Sequence, residues 1–316
     1  MQNPTAAAAA PARATRRKRL WNDIRQAKTY YLMMLPALIY VLIFCYQPMY
    51  GLQIAFKDYK GVYGIVGSPW VGLTHFISFF KGYYFWRLMK NTLILSLYSM
   101  LVSFPFPILL ALLLNEVTPK IRKVSQTILY APHFISTVVM VGMINVMFSP
   151  SIGIVNHAIA ALGGDRIYFL AQPGVFRHMY VWSGVWQGTG WGAVIYIAAL
   201  AGVSPELHEA ATIDGASRLQ RVIHINLPSI LPTIMILLIM RIGSLVNVGY
   251  EKVYLLQNDL NQEVSEVIST YVYKRGILNT SYSFTSAVGL FNNLINVALL
   301  LLANAFSRKA TDTSLF

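Results

Sequence analysis

The chain has 316 residues, 56% of them hydrophobic and 12% charged, with a formal net charge of +13. A soluble domain of this length needs more charge to cover its surface, so the composition excludes an ordinary globular protein. The basic residues are spread through short segments between long apolar runs. That pattern fits orientation in a membrane and sets nucleic acid aside as a partner.

A spanning helix needs about 20 mostly apolar residues, because the hydrocarbon layer is about 30 Å thick. Six runs qualify: 30–50, 92–114, 128–148, 179–201, 230–250 and 287–306. The expectation is an all-α integral membrane protein. It has a basic N-terminal segment (1–29), a transmembrane domain (30–306) and a short tail (307–316).

In chain order, the first segment carries Arg13, Arg16, Arg17, Lys18, Arg19, Arg25 and Lys28. Leu20, Trp21 and Ile24 are interleaved with these charges. Residues 16–28 therefore read either as a helix lying on the lipid surface or as a disordered basic tail. The small residues 6–10 precede the charges, whereas a signal-peptide cleavage site follows the apolar run, so no cleaved leader is expected. Pro36 interrupts the first run, and Pro105 and Pro107 the second. The lone cysteine, Cys45, forms no intrachain disulfide. Between these two runs, residues 51–91 are rich in aromatics, among them Trp70, Phe76, Phe79, Phe80, Tyr83, Tyr84, Phe85 and Trp86. Such a loop is expected to pack on the outer face. Lys120, Arg122 and Lys123 follow the second run, Arg218 and Arg221 the fourth, and Arg308 and Lys309 the last. With the N-terminal cluster, these place both termini in the cytoplasm.

The segment between the fourth and fifth runs, about 202–228, is the most informative. Ser204-Pro205-Glu206 has the order of a helix start: a capping hydroxyl, proline in the first turn, then an acid. A short helix to Ile213 is expected, with Ala210 and Ala211 permitting close approach by a partner. Gly215 then ends or bends it. A second short helix over 217–224 is expected to stop before a break at Leu227-Pro228. Two short helices off a membrane form a knob suited to a groove on another protein. Taken singly, Glu206, Glu209 and Asp214 read as solvated loop acids.

The same segment reads Glu209-Ala210-Ala211, three residues, Gly215, nine residues, then Ile225-Asn226-Leu227-Pro228. It resembles the signature of permease subunits of ATP-binding-cassette importers, with every specified position present. Other stretches resemble the oligosaccharide permeases of the lipoprotein-associated subfamily, the kind that import alginate or pectin fragments. They include Trp70-Val71-Gly72-Leu73, Leu114-Asn115-Glu116, Tyr130-Ala131-Pro132-His133 and Ala287-Val288-Gly289-Leu290-Phe291-Asn292. The resemblance implies a type I importer fold in a bacterial inner membrane. It further implies a second homologous permease, two ATPase subunits and an extracytoplasmic solute-binding protein. Glu209, Ala210, Ala211, Asp214, Gly215, Leu227 and Pro228 would then couple to the ATPase. This chain has no phosphate-cradling glycine motif, so ATP and Mg are expected on the partner ATPase and no cofactor here. No metal site is expected either, since His133, His157, His178 and His224 are dispersed.

For the substrate, Arg241 stands out inside the fifth run, where a charge is costly unless it faces a cavity or a partner. It reads as a contact to a sugar carboxylate or as a structural arginine pairing with carbonyls or another subunit. Asn145, Trp186, Gln187, Trp191, Asn247, Tyr250, Asn292 and Asn293 offer rings and amides suited to sugars. Each also reads as an interface anchor or packing residue. Gly188, Gly190 and Gly192 point to close helix contact or a local break. The competing classes are a permease for another solute, a secondary transporter and a membrane enzyme. A secondary transporter often shows internal repeats and intramembrane acids, and neither is evident. No cluster of nucleophile and base suggests an enzyme.

Overall fold

A computed structural model describes residues 27–311 together with Ser314 and Leu315. The surface helix expected over 16–28 falls almost wholly outside them. Among the described residues the regular structure is helical, with one isolated bridge between Lys57 and Trp70. Four helices are long and apolar enough to cross a membrane, and two bent helix pairs raise this to six.

Helix α1 (Lys28–Val41) runs through Pro36 and continues, by a wide turn at Leu42–Tyr46 and a tighter helix at Gln47–Phe56, into a span of 29 residues. No residue of α1 is buried. Its apolar surface is left for lipid or another chain. Helix α2 (Thr74–Phe80) carries Phe79, which is buried against Phe85, Phe284 and Phe291. The aromatic loop therefore packs only in part: Trp70, Tyr83 and Trp86 remain exposed.

Helix α3 (Phe85–Ser103) begins earlier than expected. It joins α4 (Pro105–Glu116) through Phe104, whose backbone stays helical, giving one span of 32 residues. Pro105 stands in the first turn of α4, where a missing N–H is tolerated.

The third run is not one helix. It divides between α5 (Pro119–Tyr130) and α6 (Thr137–Met147), which meet at 94°. Pro132 has no N–H to continue the α-helical ladder, so α5 gives way to a tighter turn at Ala131–Phe134 with Ala131 still helical, and the chain becomes extended at Ile135 and Ser136. Ser136 then caps α6, accepting from the Val139 N–H at 3.3 Å. The 11 residues of α6 reach about 17 Å at 1.5 Å per residue, too short to cross alone. Helix α5 has a polar face with Lys120, Arg122 and Lys123, and none of its residues is buried.

After α7 (Ile154–Ala161), helix α8 (Pro173–Leu200) packs along α3 and α4. Gly190 and Gly192 of α8 serve packing while Gly188 has open space around it, and the helix does not break. A Cβ on Gly190 would fall 2.0 Å from the Leu129 carbonyl oxygen, and one on Gly192 would fall 3.0 Å from Pro107. Helix α9 (Pro205–Ile213) then turns away from α8 by 77°.

Helix α10 (Arg218–Arg221) runs through a wide turn at Val222–Asn226 directly into α11 (Leu227–Ile242). The break expected at Leu227-Pro228 is absent. The Leu227 N–H bonds the Val222 carbonyl five residues back. The register has already slipped when the chain reaches Pro228, so the missing donor is absorbed. The fifth run also ends early, at Ile242. Arg241 occupies the last turn of α11, Asn247 the following loop, and Tyr250 opens α12 (Tyr250–Leu256). Helix α13 (Ile268–Tyr273), a wide turn at Lys274–Leu278 and α14 (Tyr282–Thr311) complete the chain.

The core is made of helix contacts. Leu95, Met140, Val185 and Val253 join α3, α6, α8 and α12, while Ala111, Tyr196 and Ile230 join α4, α8 and α11. At the Phe85 end of the α3–α4 span, buried Glu266 lies 2.6 Å from Arg87 and 3.8 Å from Lys274. Asn91 donates to the carbonyls of Glu263 and Glu266 and accepts from Arg177. At the Glu116 end, Arg122 donates to the carbonyls of Leu114 and Asn115, closing α4 with a cation.

Candidate functional site

The knob at 204–226 is built by local chemistry. The Ser204 hydroxyl accepts from the Glu206 N–H at 3.3 Å, and Pro205 and Glu206 fill the first turn of α9. At the other end Gly215 has φ +77°, the left-handed conformation that ends helices. The Ala216 N–H bonds the Ala211 carbonyl at 2.8 Å and the Gly215 N–H bonds Thr212 at 3.1 Å. This pair of bonds is the Schellman closure. Ser217 and Gln220 then form a reciprocal cap on α10, with bonds of 2.7 and 3.3 Å. Arg221 bonds the Thr212 hydroxyl and ties α10 back to α9.

No residue of α9 or α10 is buried. Leu207, Ile213 and Leu219 are exposed, Ile213 at 86%. Glu209, Ala210, Asp214 and Gly215 are exposed on the same knob, and Ala211 is half-buried. Leu227 and Pro228 open α11 at the root of the knob. Just before them Asn226 is fully buried and donates to Glu116 at 3.3 Å, linking the knob to the end of α4.

Arg241 lines two cavities. One of about 460 Å³ lies among Phe104, Pro107, Gly188, Thr189, Tyr196 and Leu237. The other, about 180 Å³, is lined by Ser96, Ser99, Tyr180, Ser244 and Asn247. No carboxylate lines either cavity. Asn247 accepts from Asn292 at 3.0 Å, so three of the sequence candidates, Arg241, Asn247 and Asn292, come together.

The remaining candidates lie elsewhere. Gln187 donates to the Ile135 carbonyl at 2.7 Å, and Trp191 stacks on His133 at 4.7 Å; both support the bend between α5 and α6. Trp186 lines an apolar groove of about 740 Å³ with Met140, Met143 and Met147. Tyr250 stacks on Tyr273 at 5.0 Å. Asn145 and Asn293 are exposed on α6 and α14. Sequence reading passed over Tyr180 and Lys252, whose ammonium donates to the Tyr180 carbonyl at 2.7 Å and sits 4.7 Å from its ring. The signal was a lysine just beyond an apolar run, indistinguishable there from a snorkelling anchor.

A family described as the binding-protein-dependent transport system inner membrane component matches residues 103–312. The chain belongs to that family. It is a permease subunit of the inner membrane. It is 44% identical over 319 residues to the polygalacturonan/rhamnogalacturonan transport system permease protein YteP of Bacillus subtilis, covering 99% of each chain. It is also 44% identical over 294 residues to the protein LplB of the same organism, covering 93% of this chain and 92% of that one. Among solved structures it matches a chain of a bacterial ABC transporter involved in import of the acidic polysaccharide alginate. The TM-score is 0.85 at 44% identity, covering 93% of this permease and 99% of that chain. The same score and identity hold for the alginate transporter in complex with an alginate pentasaccharide-bound periplasmic protein, covering 94% and 100%. The six-span reading and the resemblance drawn from the signature at 209–228 agree with this membership.

Proposed function

We propose that the permease forms half of an ATP-driven path for an acidic oligosaccharide, delivered by an extracytoplasmic binding protein. The observation that carries this reading is Arg241 between two cavities without a carboxylate, the larger mostly apolar with hydroxyls from Thr189 and Tyr196, the smaller lined by Ser96, Ser99, Ser244 and the Asn247 amide. An arginine in that setting favours a sugar acid over a neutral sugar. The relatives that handle pectin fragments and alginate agree with it in charge.

The other half of the path is a second, homologous permease, to which the uncovered surface of α1 is available. The knob of α9 and α10 is the coupling element and lies in the cytoplasm with both termini. Its exposed Leu207, Ile213 and Leu219 enter a groove of the partner ATPase, with Glu209 facing basic or amide donors. ATP and Mg are bound on that ATPase, not on this chain. Closure of the ATPase pair moves the knob and biases the spans between inward-open and outward-open states.

The test is uptake of labelled oligosaccharides, acidic and neutral, by the reconstituted complex. ATP-dependent uptake of tetragalacturonate is expected, and Arg241→Ala should reduce it about tenfold or more, the loss of one charge-assisted pair. Equal loss of neutral and acidic uptake, or an Arg241→Ala complex that falls apart on purification, would assign Arg241 a structural role. For orientation, a cysteine introduced at Thr15 should be labelled only from the cytoplasmic side.

A further inference from the structure

The Phe85 end of the α3–α4 span carries a pocket of about 480 Å³ that belongs neither to the Arg241 cavities nor to the knob. Tyr83, Tyr84 and Tyr271 bring rings to it, and Arg87, Lys274 and Arg275 bring cations. One carboxylate, Glu266, lines the pocket itself, while Asp259 and Glu263 line an adjoining cavity that shares Tyr83, Arg87 and Gln262, so the cation left over is Arg275. Glu266 is occupied by Arg87 at 2.6 Å and has Lys274 at 3.8 Å. Arg275 makes no ion pair among the described residues; its guanidinium lies 5.7 Å from the Tyr271 ring and its side chain is exposed. The Arg87 guanidinium lies over Tyr84 in the same way, at 4.7 Å. A planar guanidinium held against a ring keeps its donor edge free for a carboxylate.

The backbone of one wall is irregular in a way that changes its chemistry. On an unbroken helix the face beginning at Tyr271 would continue through Lys274 and Arg275 to Leu278, by the i, i+3, i+4, i+7 rule. The wide turn at Lys274–Leu278 inserts one residue, closed by the Asn279 N–H on the Lys274 carbonyl at 3.0 Å. The face therefore ends on Asn279, which lines the pocket, while Leu278 does not. An amide replaces an aliphatic side chain. Beside it Thr280 has φ +54°, an unfavourable conformation for a β-branched residue.

We infer that this pocket is a second subsite for an acidic sugar residue. Arg275 takes the carboxylate, Asn279 a ring hydroxyl, and the exposed ring of Tyr83 the apolar side of the pyranose. The choice of an acidic sugar rests on the function proposed above; the location does not. In the orientation proposed there, the pocket opens outside the cell. It would receive the sugar before the Arg241 cavities do.

The test is binding of tetragalacturonate and maltotetraose to the full chain in lipid nanodiscs, by equilibrium dialysis, alongside uptake by the complex. Tetragalacturonate should bind the wild type in preference to maltotetraose. Arg275→Ala should weaken that binding about tenfold, Arg275→Lys should recover only part of it because an ammonium lacks the planar fork, and the melting temperature should not move because Arg275 is exposed. Wild-type binding by Arg275→Ala, or equal binding of both sugars, overturns the subsite. So does intact sugar binding with weakened association of the extracytoplasmic binding protein, which would make the pocket a protein-docking surface. Preserved binding with no ATP-driven uptake of any sugar would instead overturn the importer reading and leave the subsite standing.

Discussion

The two ends of the α3–α4 span are held in opposite ways. At the Glu116 end the α9–α10 knob has no buried residue in either helix; its shape comes from Ser204, Gly215, Ser217 and Gln220, all within a few residues of the atoms they satisfy. At the Phe85 end the order is long-range: Arg87 reaches Glu266, Thr92 accepts from the Ile268 N–H, and Asn91 reaches Glu263 and Glu266. A locally closed element keeps its shape when moved as a body. A cross-linked one resists motion of its parts. Under the function proposed above, the knob would be moved as a body while the other end keeps its pockets in register.

The largest test of that contrast lies between the two ends. Gly190→Val puts a β-branched side chain where even a Cβ meets the Leu129 carbonyl oxygen at 2.0 Å. Backbone cannot yield there cheaply, so loss of about 3 kcal/mol or more is expected, at the upper end for overpacking. A collapse in the yield of monodisperse protein checks it; Gly188→Val, with nothing within 4 Å of its Cβ, is the control.

At the cross-linked end, Glu266→Ala leaves Arg87 and Lys274 facing one another without their carboxylate. Removing one partner of a fully buried pair costs about 3–5 kcal/mol; both cations retain solvent contact, so about 2 kcal/mol is expected. A lower melting temperature of the detergent-solubilised chain should report it.

Ser217→Ala is the smallest of the three. It removes the hydroxyl that accepts from the Gln220 N–H, worth about 1 kcal/mol locally. Because neither α9 nor α10 has a buried residue and the burial at the root of the knob, Asn226, is untouched by this change, the melting temperature should stay near wild type while transport falls. A knob mutant that melts with the whole molecule would erase the contrast.

The same difference explains what was legible. Caps are written next to the atoms they serve, so Ser204-Pro205-Glu206 and Gly215 announced the knob before its structure was known. Arg87 and Glu266 stand 179 positions apart, and nothing in either neighbourhood marks them as partners. Spans were legible as apolar runs, but a window of about 20 residues averages over breaks. It joined the end of amphipathic α5 to α6 across Pro132, and carried α11 past Ile242 through Asn247. Pro228 misled in the other direction, because a proline announces a missing donor but not the wide turn that accommodates it. Among the candidate pathway residues, type alone could not separate Arg241, which faces cavities, from Gln187, which holds a bend.

The central claim is that the knob transmits the state of the ATPase to the spans. Gly215→Val forces a β-branched residue to φ +77°, costing about 1–2 kcal/mol and distorting the closure between α9 and α10. Glu209→Lys reverses the charge beside the two alanines. ATP hydrolysis by the purified complex, with and without loaded binding protein, measures the link most directly. The expected result is that both variants insert normally, yet lose the stimulation of hydrolysis by loaded binding protein and lose uptake with it. Wild-type stimulation and uptake in both variants, with the ATPase still bound, would contradict the claim.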